Sequence, residues 1–156
     1  SGSKGRTSNN DIYKLKLVDK EEINLPRRQT YNSAGYDIEF PYMNFVLHPG
    51  KAVLIPTGVK VVDLAPNEDV EVHIRSGRGM FQRLRILNVV GIVDADFEGS
   101  DNGGNISIAI INEGSEYYIF EYGERFVQAI IREHKFTKDD NPISRKRTGG
   151  GSSTDV

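Results

Sequence analysis

Apolar residues in this chain come in short runs, and turn residues break nearly every run. His48-Pro49-Gly50-Lys51, Ala65-Pro66-Asn67-Glu68, Ser100-Asp101-Asn102-Gly103-Gly104, Asn112-Glu113-Gly114-Ser115 and Glu121-Tyr122-Gly123-Glu124 all carry this punctuation. Proline presets φ and glycine permits φ > 0, so each stretch reverses the chain. No amphipathic helix of normal length fits between them. Many short strands at regular turn spacing predict an all-β sandwich or barrel. With 156 residues, one such domain has chain enough for a real core.

The strands follow from local periodicity. Asp11 to Val18 alternates and reads as a first strand, and Glu21 to Ser33, with Pro26 and two arginines, as an extended loop. Tyr36–Phe40, Phe45–Leu47, Ala52–Pro56, Gly58–Leu64 and Asp69–Arg75 are the next expected strands. Arg78 to Arg85 is basic and poorly periodic, and an apolar strand-like run follows from Ile86 to Val93. Ile106–Asn112 reads as a buried strand, and Glu116–Tyr122 as another. Phe126–Phe136 fits strand or short helix by period, and its Ile130-Ile131 pair favours strand. Three segments result: a flexible tail over 1–10 whose Ser-Gly-Ser-Lys-Gly opening resembles a cloning scar, a β domain over 11–137, and a mobile C-terminal arm over 138–156.

Composition removes several function classes. There is no cysteine, so disulfides, thiolate catalysis and cysteine zinc sites are excluded. His48, His73 and His134 lie far apart with no HxxxH pair, which argues against a histidine metal centre. A net charge of −2 argues against a general nucleic-acid binder. No apolar run is long enough to span a membrane and no signal peptide is evident, so an intracellular protein is expected.

Chemistry concentrates in five stretches. Asn88 to Gly99 offers an amide, two carboxylates (Asp94 and Asp96) and the Phe97 ring at the end of a strand-like run, where side chains are held more rigidly than on loops. Arg75-Ser76-Gly77-Arg78-Gly79 leaves an expected strand with glycines, a hydroxyl and arginines, a set suited to an anion but also to a plain tight turn. Asp37, in Ala34-Gly35-Tyr36-Asp37-Ile38, reads as a turn residue or as a carboxylate near a metal–phosphate group. Gly123-Glu124-Arg125-Phe126-Val127-Gln128 reads as a hairpin turn, or as the source of a glutamine amide for phosphate. The tail from Arg145 to Thr154 reads as a linker or as a glycine-rich flap over a polyphosphate. Arg78, Arg83 and Arg85 read as solvated charges or as a basic rim that attracts an anion.

Taken in chain order, Ala34–Ile38, Arg75–Gly77, Gly91–Gly99, Gly123–Gln128 and then the basic Gly/Ser/Thr tail, these five stretches closely resemble the trimeric dUTPase family. The resemblance runs from about Lys14 to the C-terminus and includes Pro49-Gly50 and Leu54-Ile55-Pro56-Thr57-Gly58-Val59. It implies a jelly-roll subunit, a distorted β-barrel of β-clip type, assembled as a homotrimer with sites shared between neighbouring chains. It also implies hydrolysis of dUTP to dUMP and pyrophosphate with Mg2+. By the same resemblance Asp94 is the general base, and Asp37 helps to hold magnesium through water. Arg75, Ser76, Gly77 and Gln128 meet the phosphates. Asn88, with Gly91 in the same stretch, reads the uracil edge, and Phe97, in the family's tyrosine position, packs on deoxyribose. Arg145, Arg147, Gly149 and Ser152 belong to the flap.

Three features depart from the family pattern. The flap Gly149-Gly150-Gly151-Ser152-Ser153-Thr154 lacks the family's aromatic residue, and Gly150 stands in its place. Ser100–Gly104 looks like an insertion, and Arg78 replaces an apolar residue. The alternatives are a viral or phage regulatory protein on the same fold with weakened catalysis and, less favoured, a relative of dCTP deaminases. The deaminases place a catalytic glutamate on the strand after the site stretch, whereas Asn105–Asn112 contains no acid.

Overall fold

A computed structural model describes residues 12–75, 77, 82–87, 91–94 (main chain only) and 104–143. Ten strands occur among them: β1 Ile12–Lys14, β2 Tyr36–Glu39, β3 Phe45–Leu47, β4 Ala52–Lys60, β5 Glu68–Ile74, β6 Leu84–Ile86, β7 Gly91–Asp94, β8 Asn105–Asn112, β9 Tyr118–Phe120 and β10 Arg125–Glu133. They form a sheet of order β1-β4-β8-β6, a second of order β2-β10-β5-β7, and the small pair β3-β9. All pairings are antiparallel except β1 with β4. Successive strands keep changing sheets, as in a jelly roll, so neighbours in space are seldom neighbours in sequence. The all-β expectation is met.

One buried cluster joins both sheets and the small pair: Ile38, Val53 and Ile55, Val70 and Val72, Ile106, Ile108 and Ile110, with Phe120, Phe126 and Val127. β8 shows the reason most plainly: Ile106, Ile108, Ile110 and Asn112 are buried while the residues between them are not. That is the period-2 pattern of a strand with one face on a core. At the centre Phe40 stacks on Phe120 at 5.1 Å and meets Phe126 edge-on at 5.8 Å, both favoured aromatic geometries. Tyr42 closes the cluster, its hydroxyl donating to the Pro56 carbonyl at 2.5 Å. Burial, with Asp19 adding repulsion, pushes its phenol up to about 12.

Several expected boundaries shift for physical reasons. β4 is one strand rather than two. Gly58 sits at φ 74°, and the ladder to β8 shifts register between Pro56 and Lys60. There the buried Thr57 hydroxyl donates to the Ile106 carbonyl at 2.8 Å and accepts from Val59 N–H at 3.1 Å, replacing ladder bonds. The first strand stops at Lys14, because the chain next tightens into a 3-10 turn over Leu17–Asp19. Val18 is consequently 88% exposed. The strand expected over Glu116–Tyr122 is only Tyr118–Phe120, and β10 ends at Glu133 rather than Phe136.

The largest correction concerns the run from Ile86 to Val93. Leu84–Ile86 pairs with β8 in the first sheet, and Gly91–Asp94 pairs with β5 in the second. The run therefore serves two strands in different sheets. A segment passing from one buried sheet to the other stays apolar throughout, and periodicity cannot mark the crossing.

Candidate active site

The site begins with an irregularity in β10. Arg125 stands opposite Glu39, but the next pair is Val127 with Ile38, so Phe126 is an extra residue. Phe126 and Val127 are both buried. In an unbroken ladder from Arg125, Gln128 would stand opposite Tyr36; the bulge brings it opposite Asp37. One residue of register exchanges the faces of a strand. The bulge thus puts Arg125 and Gln128 on the same face as Asp37 and Glu39. On the other side of β10, Gln128 faces His73 of β5, and two residues on lies Arg75, whose N–H donates to the Phe126 carbonyl at 3.3 Å.

Asp37 is the centre of this group and is only 9% exposed. Arg75 Nε lies 3.7 Å from one carboxylate oxygen and an Arg125 guanidinium nitrogen 3.9 Å from the other. Arg75 also donates to the Arg125 carbonyl at 3.1 Å. Two arginines thus flank one nearly buried carboxylate, and a glutamine amide lies beside it. Gly77 follows with helical main chain, and a Cβ built there would meet nothing within 4 Å. This glycine is not needed for packing within the chain and leaves its backbone approachable. Asp37, Arg75 and Gln128, which the sequence places far apart, are brought together. Arg125 is a site residue that the sequence reading passed over, although it lies in the same short stretch as Gln128.

Gly35 has a specific reason to be glycine. A Cβ there would lie 2.4 Å from Gln128 Oε1 and 3.1 Å from its Cδ. The amide, at the end of a flexible side chain, would have to move. Gly35→Ala is therefore expected to leave the thermal midpoint little changed but to weaken polyphosphate binding about tenfold or more, the loss of a hydrogen bond to a charged group. Calorimetric titration with inorganic pyrophosphate beside a thermal scan tests this. Unchanged affinity would remove Gln128 from the ligand site.

Asp94 lies elsewhere. Its main chain pairs with Asp69, at the opposite end of β5 from Arg75. At about 3.4 Å per residue, the six steps from Asp69 to Arg75 separate the two by roughly 20 Å. Asp69 is held by His134 Nδ1 at 2.7 Å, and His134 N–H donates to the Asn67 carbonyl at 2.7 Å, which pins this end of the sheet. Ser76, Asn88, Asp96, Phe97, Arg145, Arg147, Gly149, Ser152 and most of the Ser100–Gly104 stretch lie outside the described residues. So does Arg78; of the other two rim arginines, Arg85 is not a free cation. It forms a two-pronged pair with Glu113 at 2.8 and 3.1 Å. That hydrogen bonding holds the Glu113 carboxyl below its ordinary range and the Arg85 guanidinium above its own.

Among the described residues, no group of three or more His, Asp or Glu side chains could hold a metal ion. Magnesium needs no such group. It is commonly bound through one or two carboxylates, its own waters and substrate phosphates. Asp37, a nearly buried carboxylate at the edge of an arginine-lined cleft, fits that mode.

Comparison with known proteins agrees with this architecture. A family model described as dUTPase matches residues 21–154. The deoxyuridine 5'-triphosphate nucleotidohydrolase of Lactococcus lactis subsp. lactis is 36% identical over 135 residues, covering 85% of this chain and 88% of that one. Its counterpart in Shewanella pealeana is 32% identical over 148 residues, covering 89% and 94%. The crystal structure of a dUTPase from Streptococcus mutans superposes with a TM-score of 0.67 at 30% identity, over 79% of this chain and 95% of that one. The chain belongs to the dUTPase family.

Proposed function

We propose that this protein hydrolyses dUTP to dUMP and pyrophosphate, as a homotrimer whose sites are each built from more than one copy of the chain. The observation that carries this reading is the separation within the second sheet. Asp37, Arg75 and Gln128 gather at one end, and Asp94 stands roughly 20 Å away at the other. That gap is too wide for one triphosphate to touch both groups on a single chain. Closed rotational assembly brings unlike ends of neighbouring copies together and resolves it.

In such a site Arg75, Ser76, Gly77 and Gln128 hold the phosphates, and tail residues Arg145, Arg147, Gly149 and Ser152 close over them. Asn88, with Gly91 beside it, meets the uracil edge. A close-fitting sheet pocket rejects thymine by its methyl group, and cytosine presents a donor where uracil presents an acceptor. Phe97 lies against the deoxyribose. Asp94 takes a proton from water as the water oxygen bonds to the α-phosphorus. The bond from that phosphorus to the bridging oxygen breaks, and pyrophosphate leaves with the electron pair. Magnesium, held through water by Asp37, supplies positive charge to the phosphates when bound. Arg75 keeps the anionic chain in line for attack.

Strand β8 carries no acidic residue, which disfavours the deaminase alternative. No helix among the described residues is long and apolar enough to cross a membrane, and we place the activity inside the cell, with the deoxynucleotide pool.

Shared sites have a direct test. Arg75→Ala and Asp94→Asn chains, each inactive alone, are co-expressed so that mixed trimers form. If the two residues meet only across a subunit boundary, roughly one quarter of the sites regain both and turnover returns. Mixed trimers with no dUTP turnover would sink the shared-site reading.

A further inference from the structure

We propose that the cleft between the 21–33 loop and strand β2 receives the terminal phosphate of the substrate, and that Arg27 is a phosphate-binding residue there. This rests on the dUTP reading above and adds to it a residue outside the five family stretches. The cleft has a volume of about 420 Å³, and its lining includes Arg27, Arg28, Asp37, Glu39 and Arg125. Three arginines against two carboxylates leave it net positive.

The loop is polar and long, yet it is fastened down. Glu21 N–H donates to the Pro41 carbonyl at 2.7 Å, the Tyr122 hydroxyl donates to the Glu22 carbonyl, and the Asn24 amide reaches Glu39 at 3.3 Å. Arg28 secures the far end by donating to the Tyr31 and Ser33 carbonyls. A long irregular segment pinned at so many points is more often functional than a spacer. Its key contact is the bridge between Arg27 and Asp37, in which Asp37 N–H donates to the Arg27 carbonyl at 2.9 Å. Antiparallel partners share a face with Cβ atoms about 4.5–5.5 Å apart, so Arg27 extends beside the Asp37 carboxylate. Unlike Arg28, its guanidinium makes no ion pair or hydrogen bond with another described residue.

The order of the strands gives the cleft its place. From β5 outward the sheet presents Arg75, then Gln128 on β10, then Asp37 on the edge strand β2, and beyond that edge Arg27. A polyphosphate lying across the strands from Arg75 ends at Arg27. The arginines already near Asp37 stand 3.7 and 3.9 Å away. Those separations exceed the ~2.7–2.9 Å of charge-assisted hydrogen bonds, so their forks keep donors for an incoming anion. A terminal phosphate at Arg27 also gives this chain a means of preferring triphosphates to diphosphates.

The test uses the full-length protein with Mg2+ and inorganic pyrophosphate as the probe. Arg27→Gln is expected to weaken pyrophosphate binding about tenfold and to raise KM for dUTP by a similar factor, as expected for loss of a charged hydrogen bond. kcat and dUMP affinity should stay unchanged, and Arg27→Lys should restore part of the loss. Arg27 is exposed, so the variants should keep the fold. Unchanged pyrophosphate affinity in Arg27→Gln overturns the proposal whatever the turnover. Failure of the unaltered protein to hydrolyse dUTP would instead overturn the function, and calorimetry with pyrophosphate would still decide the role of Arg27.

Discussion

Asp94→Asn is expected to lower kcat for dUTP by about 10²–10⁴-fold, the usual contribution of a positioned general base. The substitution keeps size and shape and removes only the ability to accept a proton. In the proposed site the phosphates are held by Arg75, Gln128 and the groups around Asp37, which lie at the other end of the sheet. KM and the affinity for a non-hydrolysable dUTP analogue should therefore change little. This split separates a base from a binding residue: a loss confined to kcat marks an interaction made only in the transition state. Full turnover by Asp94→Asn would transfer the role to another group, with Asp96 the first to examine.

The largest stability effect is expected at Asn112, which is fully buried at the end of β8. Its side-chain nitrogen donates to the Leu47 and Glu116 carbonyls, each at 2.9 Å, and its oxygen accepts from Gly114 N–H at 2.9 Å. Its own N–H and carbonyl bond Lys51 and Gly50. One side chain thus ties the end of β3 to the turn that leads into β9. Asn112→Leu has nearly the right volume but leaves the buried Leu47 carbonyl, and the half-buried Glu116 carbonyl and Gly114 N–H, without partners. At about 1–3 kcal/mol for each unsatisfied group, partly relieved by relaxation, a loss of about 3–5 kcal/mol is expected. In a domain of this size that lowers the thermal midpoint by on the order of 10 °C. Thermal and urea unfolding measure it, and a loss below about 1 kcal/mol would mean that water or a local shift satisfies these groups.

Asn112 also shows how far a sequence can be read. Asn88 and Asn112 are the same residue type, each beside an apolar run. One is recognised through the family pattern of its neighbours. The other is recognised only when the distant Leu47 carbonyl is seen to join two backbone groups of the following turn, Gly114 N–H and the Glu116 carbonyl, around it. A polar side chain at a strand end carries no mark of whether it will meet a ligand or the chain itself. Arg85 is similar: counted among possible rim cations from the sequence, it is occupied by Glu113, a residue 28 positions away.

What the sequence determined by itself is the class of fold and the family, and from the family pattern the residues proposed for the site. Alternation in β5 and β8 and the glycine and proline turns are local properties, and local rules suffice to read them. The order of the five stretches led to the dUTPase family without any coordinates. Tertiary structure alone decided register and distance. The extra residue Phe126 turns Gln128 towards Asp37, the run from Ile86 to Val93 divides between two sheets, and the 21–33 loop returns along β2 to set Arg27 beside Asp37. Tertiary structure also put Asp94 and Arg75 at opposite ends of β5. Each of these depends on which distant segment a strand pairs with and in what register, and a periodicity of two residues is the same for every choice of partner.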